Sequence, residues 1–135
     1  ETKKIKLKNR GEAHITVITP IEYWQVLRGK DVTMSEINRI AKDLKIQQSK
    51  VEVVCIGRGQ ATLNSKDEST YFVVVNSQDL IGIRRAVQKL FITKGGKAAD
   101  FDPNIFYPHI TLGFTKRDLH ESDGIIKNSK RCSLK

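Results

Sequence analysis

Lysine alternates with aliphatic residues over Lys4-Ile5-Lys6-Leu7-Lys8, the pattern of an edge strand whose charges discourage further pairing. Ala13 to Ile18 is a stronger strand, set between Gly11 and Pro20. Thr33 and Glu36 have capping-box spacing, and Ile37, Ile40, Ala41 and Leu44 follow at helical intervals, which predicts an amphipathic helix. Val51 to Ile56 reads as a strand ended by a Gly57-Arg58-Gly59 turn. The continuous apolar run Tyr71 to Val75 reads as a central strand covered on both faces. Ser77 then caps a second helix with the stripe Leu80, Ile83, Val87, Leu90 and Phe91, stopped by Gly95-Gly96. A polar loop through Asp100, Asp102 and Pro103 leads to a last strand, His109 to Phe114. Strand, helix, strand, strand, helix, strand is the order of an α+β sandwich.

One tripeptide recurs in that order. His14-Ile15-Thr16 and His109-Ile110-Thr111 are each embedded in an apolar strand and use two of the three histidines. A chance match of Thr two places after both histidines has odds of roughly one in two hundred. Residues i and i+2 of a strand share a face, so each motif presents an imidazole and a hydroxyl together while its isoleucine points into the core. Taken singly, either histidine would be an ordinary core residue; the repetition argues for a paired site. Two imidazoles can serve a phosphodiester as general base and general acid, and two hydroxyls can hold its non-bridging oxygens. No acidic cluster or further His/Cys spacing calls for a metal or other cofactor, and His120, outside the motif, is expected at the surface.

The paired His-x-Thr-aliphatic motifs, 95 residues apart, resemble the 2H phosphoesterase superfamily, over about residues 11 to 115. The run from His14 to Tyr23 also resembles the 2H domains of eukaryotic RNA-repair ("Swiss Army knife") proteins. The resemblance implies a bilobal α+β sandwich with pseudo-twofold duplication, a groove between two antiparallel sheets, and helices packed outside. It implies His14 and His109 as catalytic residues and Thr16 and Thr111 as phosphate-binding ones. The implied activity is metal-independent hydrolysis of a 2′,3′-cyclic phosphate, on RNA ends or nucleotides, to a 2′-phosphate. Cleavage of 2′–5′ oligonucleotides, trimming of RNA 3′ ends, and a catalytically idle RNA-end binding module are the alternatives. Tyr107, Tyr23 and Trp24, in or beside loops next to the motif strands, are candidates to stack on a base. Arg58 and Lys94, in glycine-containing loops, are candidates to meet a phosphate.

Charge and composition refine this picture. The chain of 135 residues fits one domain, 1–135, with net charge +9. The charge gathers at the ends: residues 1–10 carry five basic residues against one acid, and residues 116–135 six against three. Such ends suit RNA or another polyanion, or serve solubility alone. Residues 1–10 and 121–135 are expected to be loosely held. No apolar run reaches bilayer length, and the charged N-terminus has no signal-peptide pattern. Cys55 and Cys132 are too few and too distant for a zinc site or a disulfide framework, so Cys55 reads as a small buried hydrophobe. These features predict an intracellular monomer without membrane association, and the resemblance adds the alternative of an excised domain of a larger RNA-repair protein.

Overall fold

The computed structural model describes residues 7–9, 11 and 13–134. Its elements in chain order are α1 (Pro20–Glu22), α2 (Met34–Asp43), β1 (Glu52–Leu63), β2 (Lys66–Asn76), α3 (Gln78–Thr93), β3 (His109–Phe114) and β4 (Cys132–Leu134). The protein is α+β, and every strand named here is paired antiparallel. The chain divides into two compact units, one built from residues 1–15, 52–76 and 107–135, the other from 16–51 and 77–106. The boundary falls inside the first His-x-Thr motif and two residues before the second.

The first unit is a four-stranded sheet in the order β3-β2-β1-β4. β1 and β2 are a long hairpin turning at Asn64 and Ser65, both with positive φ, so the strand does not stop at the expected Gly57-Arg58-Gly59 turn. The glycines are there because the sheet face leaves no room: a Cβ on Gly57 would lie 2.5 Å from the Phe72 ring, and one on Gly59 the same distance from Ile125. Phe72, Val74, Cys55, Leu119 and Ile125 form the core. The expected loose C-terminus is therefore corrected: Ile125 and Lys127 are buried, and β4 pairs with β1. Cys132, facing Gly57 in that pairing, forms a disulfide with Cys55. Seventy-seven residues of separation hid a contact that strand pairing creates. The lysine-alternating segment 4–8 lies mostly outside the described residues, though Lys8 bridges Phe114.

The second unit is helical, and the four described strands form one sheet rather than two. The expected strand from Ala13 to Ile18 is reduced to an isolated bridge at Ile15. A reciprocal capping box between Thr19 and Glu22, with Pro20 at the first helical position, turns the chain into α1 instead, continuing as a π-helical turn over Tyr23–Leu27. α2 starts at the Thr33–Glu36 box and α3 at Ser77, whose hydroxyl accepts from the Leu80 N–H at 3.2 Å, both as the pattern predicts. Gly95, at φ +96°, ends α3. Leu27, Val32, Ile37, Val87, Phe91 and Phe101 make this unit's core.

Arg84 sits fully buried in the middle of the α3 stripe. Its guanidinium makes a bidentate pair with Glu22 at 2.8 and 2.9 Å and donates to the carbonyls of Val17, Asp102, Pro103 and Ile105. The chain leaving the first motif and the loop approaching the second are thus tied to one side chain. Among the described residues no helix is long and apolar enough to cross a membrane.

Candidate active site

Ile15 and Ile110, the central residues of the two motifs, form an antiparallel bridge. Stepping one residue outward from that pair, His14 lies across from Thr111, on the backbone side opposite the isoleucines. His14 is exposed; His109 and Thr111 are half-buried. On the other edge of β3, His109 pairs with Val74 and Thr111 with Phe72, so the motif side chains share a face with two core residues of β2. The His109 imidazole meets the Phe72 ring edge-on at 6.0 Å. Thr16, also exposed, is the first residue of the other unit.

His109 Nδ1 donates to the carbonyl oxygen of Tyr107 at 2.8 Å. In the neutral ring this leaves the lone pair on Nε2. Burial pushes the His109 pKa below its ordinary value; the Tyr107 carbonyl and Asp118 oppose this, while Lys127 and His120 add to it. Below the motif lies a charged cluster that carries no sequence signature. Asp118 Oδ1 accepts from Thr70 at 2.6 Å and from the Lys127 ammonium at 2.9 Å, and Asp118 Oδ2 accepts from the Thr111 hydroxyl at 3.3 Å. Burial works against the Asp118 charge, but the Thr70 and Lys127 hydrogen bonds outweigh it and hold the carboxyl below its ordinary pKa. Among the described residues no three His, Cys, Asp or Glu side chains gather where they could hold a metal.

A family model, "Swiss Army Knife, 2H phosphoesterase domain", matches residues 1–120. The chain belongs to that family. Phosphoester hydrolysis is the function that membership supports. No curated protein and no solved structure matches the chain.

The remaining candidates in this 2H phosphoesterase are scattered. Tyr107 is half-buried, and the contact it makes with the motif runs through its carbonyl. Arg58 lies on β1, not in a loop; its guanidinium donates to Ser69 Oγ at 3.3 Å and sits 5.7 Å from the Tyr71 ring centre. Lys94 caps the end of α3, where its ammonium meets Glu36 at 2.5 Å and the Asp31 carbonyl at 2.6 Å. That bond, with those from Thr33, holds the Glu36 carboxyl down at about 2. Lys94 is committed to protein partners. Tyr23 and Trp24 lie in the π-helical turn rather than a loop. Tyr23 packs on the core of its unit, whereas Trp24 is 60% exposed with the Arg28 guanidinium 4.8 Å from its ring centre. Both line an open groove of about 330 Å³ with Val17, Met34 and Ile37. His120 is exposed, as expected.

Proposed function

We propose that this 2H phosphoesterase opens a 2′,3′-cyclic phosphate, on an RNA end or a free nucleotide, and leaves a 2′-phosphate. The observation that carries the reading is the antiparallel pairing of the two His-x-Thr motifs about Ile15 and Ile110. The Nδ1 bond of His109 adds direction, since it leaves Nε2 as the proton acceptor. In this scheme His109 takes a proton from water, and the water oxygen bonds to phosphorus. The bond from phosphorus to the 3′ oxygen breaks, and His14 gives that oxygen its proton. Thr16 and Thr111 donate to the non-bridging oxygens, where negative charge builds. The two motifs act as pseudo-equivalent halves of the site.

In this scheme proton transfer and hydrogen bonding account for every step without a metal. The positive net charge favours an RNA partner. The experiment is incubation with a 2′,3′-cyclic nucleotide and with RNA bearing a cyclic end, in EDTA, with product analysis. Formation of 2′-phosphate supports the reading; no hydrolysis of either substrate overturns it.

A further inference from the structure

Thr111 has one hydroxyl proton, and it points at Asp118 Oδ2. A hydroxyl so directed shows its lone pairs, not its proton, to an incoming anion. The bond is long, 3.3 Å, and Asp118 keeps stronger donors on Oδ1 in Thr70 and Lys127. Thr111 can therefore leave Asp118 for a phosphate oxygen without stranding a buried charge. Lys127 is 4% exposed, with its ammonium 5.7 Å from the Phe72 ring centre. Removing either partner would leave the other charge buried and unpaired, at a cost in stability. The pair joins the loop after β3 and the C-terminal segment to the face bearing His109 and Thr111.

We propose that Asp118, anchored by Lys127 and Thr70, is a positioning residue of the second motif: it holds the Thr111 hydroxyl in place until a phosphate oxygen accepts its hydrogen bond instead. The role assigned to Thr111 rests on the phosphodiesterase reading; the placement of the charged pair does not. The pair has a second consequence. Among the described residues Lys127, Asp118 and His120 act on the His109 charge, and the first two act in opposite directions. Removing Asp118 should lower the His109 pKa, and removing Lys127 should raise it.

The test follows the His109 Cε1–H resonance of the full chain against pH, without substrate. Asp118→Asn should move its midpoint down and Lys127→Met up, each by on the order of 0.5 unit. Shifts of the same sign, or none, in folded variants overturn the proposal. Where a single variant does not fold, Asp118→Asn/Lys127→Met decides, because it leaves no unpaired buried charge. In it the two shifts oppose, so His109 should titrate within about 0.3 unit of wild type, while kcat on a cyclic nucleotide falls on the order of tenfold with KM within about threefold. Undiminished kcat in the double variant overturns the positioning role. An inactive wild-type protein would instead defeat the phosphodiesterase reading, and the substrate-free titration would still decide the placement of the pair.

Discussion

The carbonyl oxygen of Tyr107 accepts a hydrogen bond from Nδ1 of His109, two residues further along the chain. Because a carbonyl can only accept, the ring keeps its proton on Nδ1 and offers Nε2 as a base. Burial holds the ring's pKa below 6.5, so the neutral form prevails at pH 7. A base is lost when it protonates. The acid limb of kcat/KM on a 2′,3′-cyclic nucleotide should accordingly lie below pH 6.5, with the rate falling as pH drops through it. A pH-rate series finding that limb above 6.5 would contradict His109 as the base.

His14 and His109 should act as one unit. We expect His14→Ala and His109→Ala each to lower kcat by roughly 10² or more, the usual scale of a general acid or base. The double variant should be far less impaired than the product of the single losses, since the second histidine has little to do once the first is gone. Lost turnover has to be told apart from lost stability in each variant. Single-turnover assays beside thermal melts separate the two effects; wild-type turnover in either variant defeats the assignment.

What the amino-acid pattern revealed, and what it hid, follows from how local each signal is. Thr33 with Glu36, Ser77 and Gly95 mark helix ends through contacts within four residues, and those ends stand where they were expected. The His-x-Thr repeat is equally local, and the pairing of Ile15 with Ile110 brings its two copies into register. Gly57 and Gly59 misled because glycine marks both turns and crowded strands, and only the Phe72 ring and Ile125 reveal which. Arg84 had a readable signal, a charge in the centre of an apolar stripe, which called for a carboxylate partner such as the half-buried Glu22. Asp118 and Lys127 had none. Asp118 lies in the charged run Lys116-Arg117-Asp118 and Lys127 between Ile126 and Asn128, neither in a periodic pattern, and their burial depends on the C-terminal segment packing over the sheet.

Gly57 gives a test of that crowded face. Its missing Cβ would lie 2.5 Å from Phe72 Cε2, and Phe72 is fully buried. Gly57→Ala should cost about 1–3 kcal/mol by overpacking. Denaturant melts measure it; an unchanged or raised stability would mean that the ring can shift.

The Cys55–Cys132 disulfide ties the segment carrying Lys127 to β1 across a separation of 77 residues. Cys132→Ala with Cys55→Ala should lower stability by about 2–4 kcal/mol, because a long loop is no longer closed in the unfolded chain. β4 is only three residues long, so its amides should exchange with solvent faster in the variant than those of β2. Equal stability of the oxidised and cysteine-free proteins would show that the strand pairing holds without the bond.

The roles of the two histidines can be separated by a leaving group that needs no proton. In the proposed scheme His109 activates water and His14 protonates the departing 3′ oxygen. An alkoxide is a poor leaving group, so the acid matters on a natural substrate; p-nitrophenolate departs unaided, so on a p-nitrophenyl phosphodiester it matters little. Water must still be activated for either substrate, and the base stays necessary. His14→Ala should therefore retain a much larger share of wild-type kcat on the p-nitrophenyl diester than on a 2′,3′-cyclic nucleotide, whereas His109→Ala should lose on the order of 10² or more on both. The bond between His109 Nδ1 and Tyr107 favours this direction, because it leaves Nε2 free to accept. The opposite ranking would exchange the two roles. Equal losses on both substrates for both variants would mean that the histidines chiefly hold the phosphate rather than transfer protons.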